Sequence, residues 1–426
     1  MKKGLCIGFL LLFTASMLPG CTDSPNTSAT TSSVSSGGVS SSQISSQAAT
    51  STTERKPVPM DTKDDLGVTD EMLQKAIFSE GNRARLKAVM EKADRGEEIT
   101  IGFLGGSITD GSNVPTGKSY ASLVNQWWLN TFPKTNIKYV NAGIGSTGSI
   151  IGVHRADKDL LSHNPDFVIL EYAVNDGTDT ETKEAYESLV RKILNAPSHP
   201  ALVLLFMCTS GGGGAQDTHA EVGAHYNLPM ISYRDACRAA VGADLFSWSK
   251  VTTDTVHPNE YGYAVCGLFI NTYLTGVHDN LDSIADKDEE LPSPMTGDIY
   301  RNTKILTSLD AAPISLGSAQ ATADALPFCK NGWEIKGQEP LVFEVEAKRV
   351  TLLYRRDKSI ARGTVLVTAD DEPMCYLKGN YEQGWDYLPS SKVVFNADAA
   401  RKVSISIALD EGETNGFVLA AVYLAY

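Results

Sequence analysis

The sequence predicts an α/β protein: a doubly wound, three-layer α/β/α domain followed by a smaller C-terminal β-sandwich. Three observations predict it. Between residues 70 and 277, short continuous apolar runs alternate with helical patterns, as parallel strands buried on both faces require. After Val277 the helical patterns stop, and short β-type runs separated by Gly, Asp and Asn turns take over. A chain of 426 residues, 42% of them hydrophobic, is long and apolar enough to fill two cores.

The fold does not begin at residue 1. Lys2 and Lys3 precede a short apolar run, Leu5 to Leu12, which is too brief to span a bilayer and reads as a signal segment over residues 1–20. Leu18-Pro19-Gly20-Cys21 resembles the lipobox of bacterial lipoprotein signals, which implies cleavage before Cys21 and lipidation of its thiol. A plain signal peptide that happens to contain a Cys is the alternative. Of residues 22 to 53, 19 are Ser or Thr, too polar to offset the entropy of ordering. With its flanks, the stretch 21–58 reads as a lipidated Cys and a disordered linker, roughly 30 Å long as a coil.

The α/β domain is expected over 59–278. Residues 70 to 95 read as one helix, with Leu73, Ala76, Ile77, Leu86, Val89 and Met90 on its apolar face. Strands follow at Ile99 to Leu104, Ile137 to Asn141, Phe167 to Ala173, Leu202 to Met207 and Pro229 to Ser232. Helical patterns separate them at Tyr120 to Phe132, 149–161, Lys183 to Leu194 and 215–226; another starts near Arg234, and Glu260 to Leu274 is the last. Such a sheet binds its ligand at the carboxyl ends of its strands.

Residues 279–295, acidic and Pro-containing, read as a linker, and 296–426 as the sandwich. Its β runs are Leu341 to Val345, Val350 to Tyr354, Thr364 to Thr368, Val403 to Ala408 and Phe417 to Tyr426. The last is apolar on both faces, so it is expected at the centre of a sheet.

A formal charge of −14 argues against a nucleic-acid partner, which needs a basic face. Of seven cysteines, Cys6 and Cys21 belong to the signal and anchor. The other five include no CxxC pair, which argues against a metal site and a full disulfide framework. Cys208 and Cys266 lie in apolar stretches and read as buried thiols.

Four segments at strand ends can carry chemistry. The first strand runs into Gly105-Gly106-Ser107-Ile108-Thr109, where two glycines allow a sharp turn that exposes a hydroxyl; a Ser that only caps the next helix is the plain alternative. The second runs into residues 143–148, which match G-x-G-x-x-G. A dinucleotide reading also needs an acid about 20 residues on, and Glu171, near that place, lies inside an apolar strand. The competing reading is a turn whose backbone N–H groups hold an oxyanion. The third strand ends in Asn175-Asp176, where the Asn amide can donate into the crevice or merely start a turn. The fourth segment, Asp254-Thr255-Val256-His257-Pro258, places a carboxylate three residues before an imidazole; a solvated loop His is its alternative.

Together these residues describe one machine. Ser107 attacks a carbonyl, His257 takes its proton, and Asp254 fixes the imidazole tautomer. The N–H groups of Ser107 and of the Gly145–Ser146 turn, with the Asn175 amide, form an oxyanion hole, each donor typically worth about 2.7–4 kcal/mol. The Gly-rich run Gly211 to Gly214 reads as a loop rimming the site.

In this order the four segments resemble the SGNH (GDSL-like) hydrolase superfamily, over about residues 75 to 277. The resemblance implies a flavodoxin-like strand order, esterase activity and no cofactor. Two departures stand out. Ala173 replaces the Gly of the family's G-x-N-D, and the family's oxyanion Gly falls on Ser146, one position after Gly145.

A lipid-tethered enzyme with a C-terminal sandwich resembles the carbohydrate esterases of polysaccharide-degrading bacteria. That implies an exported esterase on the outer face of the membrane, removing O-acetyl groups from a polysaccharide or oligosaccharide. Trp385 and Tyr387 are candidates to stack on sugar rings, unless both belong to the sandwich core. An esterase of lipid or of cell-wall glycan, a non-catalytic glycan-binding lipoprotein and a dinucleotide enzyme remain alternatives.

Overall fold

A computed structural model describes residues 43–45, 55–382 and 386–426, all within one compact unit, Val39–Tyr426. The expected signal segment 1–20, Cys21, most of the Ser/Thr-rich linker and Trp385 lie outside the described residues.

The first sheet contains β1 (Gln43–Ser45), β2 (Ile77–Ser79), β3 (Ile99–Gly105), β4 (Ile137–Gly143), β5 (Phe167–Glu171), β6 (Ala201–Phe206) and β7 (Met230–Ser232), in the spatial order β1-β4-β3-β5-β6-β7-β2. Strands β3 to β7 are parallel. Their order is second, first, third, fourth, fifth, the flavodoxin-like winding, which reverses between β3 and β5. Two antiparallel edges extend it. One is β2 against β7, and the other is β1 against β4, inside the stretch expected to be a disordered linker.

The helices are α1 (Lys63–Leu66), α2 (Asp70–Ala76), α3 (Ala84–Asp94), α4 (Ser107–Asp110), α5 (Tyr120–Thr131), α6 (Ser149–Asp159), α7 (Thr180–Leu194), α8 (Gln216–His225), α9 (Tyr233–Gly242), α10 (Trp248–Val251) and α11 (Glu260–His278). The strands alternate, and their two faces fill two cores. Ile99, Ile101, Phe103 and Ile169 meet α2, α3, α5, α9 and α11. Leu104, Val168, Leu170 and Leu204 meet α6, α7 and α8.

The single helix expected over 70–95 is instead α2, β2 and α3. Gly81 breaks it: its φ is +54°, and a Cβ there would lie 2.2 Å from the Leu228 carbonyl carbon. The chain therefore turns tightly against the β7 approach, and Ile77 joins the sheet edge rather than a helix face.

The second sheet is antiparallel throughout: β8 (Thr303–Leu306), β9 (Ala319–Thr322), β10 (Gly332–Ile335), β11 (Leu341–Asp357), β12 (Thr364–Ala369), β13 (Glu372–Lys378), β14 (Tyr387–Leu409) and β15 (Phe417–Ala425). The runs expected as separate strands at 341–345 and 350–354 are one strand, β11, because register shifts near Arg349 bend it without ending it. β15 lies between β11 and β10, and all nine of its residues are buried. Phe417, Leu419, Val422 and Leu424 face the sandwich core, while Val418, Ala420, Ala421 and Tyr423 pack with Ile151 of α6. That second contact explains why the strand is apolar on both sides.

The linker 279–295 is strapped to the α/β domain. Arg85 binds Asp288 at 2.6 Å, Arg191 donates to the Pro292 carbonyl at 2.8 Å, and Glu187 accepts the N–H groups of Met295 and Thr296. The His154 ring stacks on Tyr423 at 4.4 Å, and Arg349 of β11 pairs with Glu184 of α7 at 2.7 Å.

Candidate active site

Ser107 is the first residue of α4, directly after β3 and Gly106. The two glycines before it are required by close approach. A Cβ on Gly105 would sit 2.1 Å from Thr109 Oγ1, and one on Gly106 would sit 2.2 Å from Asn175 Oδ1. Gly111, with φ +70°, ends the single helical turn, its N–H bound to the Ser107 carbonyl at 2.9 Å.

His257 stands on the loop between α10 and α11. Its Nε2 lies 2.8 Å from Ser107 Oγ, and its Nδ1 lies 2.9 Å from Asp254 Oδ2. With Nδ1–H donating to the carboxylate, Nε2 is left to accept the Ser107 hydroxyl proton. The other Asp254 oxygen accepts the N–H groups of Val256 and His257, at 2.6 and 2.7 Å. Burial alone would raise the Asp254 carboxyl. Hydrogen bonds from the His257 ring and from the backbone of His257 and Val256 outweigh that and hold it below its ordinary value.

The turn after β4 lies beside the hydroxyl. A Cβ built on Gly145 would be 3.8 Å from the Ser107 Cβ, and Ser146 holds a left-handed φ of +59°. Asn175 follows β5, its side chain against Gly106. Ser107, Gly145, Asn175, His257 and Asp254 thus converge where the strand order reverses. Its Gly-rich neighbour, Gly211 to Gly214, does rim this edge: the Ser210 N–H binds the Thr255 carbonyl on the His257 loop at 2.9 Å.

The dinucleotide alternative meets an obstacle. The Ser149 N–H, at the start of α6, already donates to Asp176 Oδ1 at 2.7 Å. A carboxylate therefore occupies the place a pyrophosphate would take. Glu171 is fully buried, so it cannot reach a ribose.

Three residues near the site carry no catalytic signal in the sequence, where Glu171 stands only as the acid of the dinucleotide reading. Burial, and then the Asp176 charge, push the Glu171 carboxyl up to about 8; Thr109 and the N–H groups of Ala173 and Val174 offset only part of this. Arg155 of α6 donates to the carbonyls of Ala142 and Gly105 and to Tyr172, tying together the ends of β4, β3 and β5. His219 of α8 contacts Asp176. Glu171 lies in an apolar strand run, whereas Arg155 and His219 lie in mixed helical sequence, and neither setting carries a site motif.

Tyr387 begins β14. It is half-buried, with the Arg355 guanidinium 5.3 Å over its ring. Burial raises its phenol, Arg355 opposes this, and Asp110 of α4 adds to the rise. Among the described residues no group of three or more His, Cys, Asp or Glu could hold a metal ion, and Cys208, Cys237 and Cys266 are buried free thiols.

The model of the GDSL-like lipase/acylhydrolase family matches residues 103–265. A two-domain esterase (CEX) active on acetylated mannans is 30% identical, with a TM-score of 0.78 over 83% of this chain and 98% of its own. The CEX esterase co-crystallised with mannopentaose is 29% identical, with a TM-score of 0.74 over 83% of this chain and 97% of its own. No curated protein matches the chain.

Proposed function

We propose that this chain, a carboxylic ester hydrolase that belongs to the SGNH (GDSL-like) family and resembles carbohydrate esterases, removes O-acetyl groups from a polysaccharide or its oligosaccharides. The observation that carries the reading is the unbroken contact from Ser107 through His257 to Asp254, at 2.8 and 2.9 Å, in the crevice where ligands of such a sheet bind.

In this mechanism Ser107 Oγ attacks the acetyl carbonyl carbon while His257 Nε2 takes the hydroxyl proton. The carbonyl oxygen becomes an oxyanion, held by the Ser107 N–H, an N–H of the Gly145–Ser146 turn and the Asn175 amide. The C–O bond to the sugar breaks, and the imidazolium returns the proton to the leaving sugar oxygen. Water, deprotonated by His257, then attacks acetyl-Ser107, and acetate leaves with the Ser107 oxygen reprotonated. Asp254 stabilises the imidazolium in both halves.

Similarity to an esterase active on acetylated mannans, along nearly its whole two-domain length, supports an acetylated glycan as substrate. Tyr387 and Trp385 are the residues proposed to touch its sugar rings. The lipobox at Leu18–Cys21 supports export and a lipid anchor. Cys21→Ala should therefore move the protein from the membrane fraction to the soluble one, and an unchanged distribution would remove the anchor from the reading.

The decisive experiment is acetate release from a panel of acetylated polysaccharides by the wild-type protein and Ser107→Ala. Turnover confined to the wild type is expected. Near wild-type turnover by Ser107→Ala would overturn the mechanism, and turnover of lipid esters alone would overturn the substrate class.

A further inference from the structure

We infer that His219 is a positioning residue for the oxyanion hole, acting through Asp176; the inference rests on the esterase reading of Ser107. Beside the Ser107 N–H, the hole draws its donors from two separate loops, the turn before α6 and the Asn175 loop after β5. Something has to fix their spacing, because such donors work only when preorganised around the developing charge. Asp176 provides that link. It follows Asn175 directly, and its carboxylate accepts both the N–H (2.7 Å) and the Oγ–H of Ser149, the first residue of α6. Gly148, the N-cap of α6, has no side chain to cap the helix, and a Cβ there would fall 2.5 Å from Asp176 Oδ1. The carboxylate caps α6 from the neighbouring loop and so joins the two halves of the hole.

His219 fixes that carboxylate. Its Nε2–H donates to Asp176 Oδ2 at 3.0 Å, in a pair whose side chains are 1% and 2% exposed. The ring lies flat on Tyr186, centroids 3.5 Å apart and planes 2° apart, with Phe206 6.5 Å away. Nδ1 is buried with no hydrogen-bond partner among the described residues. The polar function of the ring is therefore directed at Asp176, and the stack leaves it little freedom to turn. Without this donor only the Ser149 contacts would hold the Asp176 carboxylate, and the spacing between the 145–146 turn and Asn175 would loosen with it.

Two substitutions separate the donor from the packing. His219→Phe keeps a flat ring on Tyr186 and removes the donor. His219→Gln gives up the ring and keeps an N–H near the Nε2 position. On purified full-length protein with a small acetyl ester, His219→Phe should lower kcat by about 10- to 100-fold with KM nearly unchanged. His219→Gln should recover most of the loss. The inhibition constant of methylboronic acid, whose tetrahedral adduct on Ser107 places an oxygen in the hole, should rise in His219→Phe by about the same factor as kcat falls. A double-mutant cycle with Asp176→Asn should be strongly non-additive. If His219→Phe does not fold, His219→Asn, whose shorter side chain withdraws the donor from Asp176, takes its place in the cycle with Asp176→Asn, and additive effects there overturn the inference. So would a kcat for His219→Phe within twofold of wild type, or equal losses in Phe and Gln. Ser107→Ala is the control: activity surviving in it sinks the esterase reading itself, whereas an inactive Ser107→Ala beside an unaffected His219→Phe sinks only the positioning role.

Discussion

Two carboxyl groups at the same edge of the sheet are held in opposite states by their surroundings. Asp254, partly exposed, accepts three hydrogen bonds that outweigh its burial and keep it ionised beside the imidazole. Glu171, fully enclosed behind the nucleophile turn, is driven toward the neutral acid, with its carboxyl pushed up to about 8. The consequence for stability has a definite sign. Above the ordinary value of 4.5 the unfolded chain releases this proton, while the folded chain keeps it until about 8. The folded state then binds more protons, so the Glu171 contribution to stability is greatest below 4.5 and falls as pH rises toward 8. Glu171→Gln removes the titration and should flatten this decline, which urea unfolding at the two ends of the window would measure; parallel losses in both proteins would refute it. The contrast also shows what a sequence can carry. Ser107, Asn175, Asp254 and His257 were legible because each stands just after an apolar strand run or just before a helix, in short motifs that the winding sends to one crevice. His219 was not, because it stands within a mixed helical stretch, Asp217-Thr218-His219-Ala220-Glu221, away from any strand end, and Glu171 stood only as the acid of the dinucleotide reading, because a lone carboxyl in an apolar run has the same appearance whether it is a satisfied core group or part of a site.

At the scale of elements, α6 is the part on which the site depends. It begins at the end of the 143–148 turn, and its Arg155 reaches back to the ends of the strands. One guanidinium nitrogen donates to the Ala142 carbonyl at 2.7 Å, and the other to the Gly105 carbonyl at 3.0 Å and to the Tyr172 hydroxyl at 2.9 Å. Two guanidinium nitrogens held apart in one plane reach these acceptors together, a separation that the single nitrogen of an ammonium does not span. Arg155→Lys should therefore leave buried carbonyls unpaired, at about 1–3 kcal/mol for each lost partner. A lowered melting temperature together with reduced kcat is expected, and thermal unfolding beside ester turnover would measure both; a variant unchanged in each would show that the fork is dispensable. The order of helices and strands here was readable from periodicity, because buried parallel strands leave continuous apolar runs. The edges were not. Ile77 fits the apolar face of a helix, and only Gly81, whose turn is set by Leu228 far along the chain, moves it into a strand. The length of β11 escaped for a related reason: the bend near Arg349 interrupts the alternation without interrupting the pairing.

Within Val39–Tyr426 the α/β domain and the sandwich form one compact unit rather than an enzyme with a sandwich on a loose cord. The acidic linker reads as flexible by composition, yet Arg85, Arg191 and Glu187 hold it along the α/β domain. The sandwich packs on the same helix that starts at the oxyanion turn. Tyr423 and Tyr300 enclose the His154 ring so fully that burial lowers its ionisation to about 3, and Ile151 is buried against Leu353 and Tyr423. Arg349 adds an ion pair to Glu184 of α7. Removing residues 296–426 would bare Ile151 and His154, strip Glu184 of its arginine and Glu187 of the Thr296 donors. Apolar surface exposed on α6 costs roughly 25 cal/mol for each Å², and that cost falls on the helix that anchors the hole. The truncated chain should therefore lose turnover of a small soluble ester as well as of polymer, and should melt at a lower temperature than the full chain. Tyr423→Ala, which opens the same contact without deleting a domain, should move both measurements in the same direction by less. If the sandwich served only to deliver glycan, the truncated chain would keep wild-type kcat on the small ester and lose only the polymer, and Tyr423→Ala would leave the small-ester kcat where it was. Measuring acetate release from both substrates, with the melting temperature of each variant, distinguishes the two outcomes.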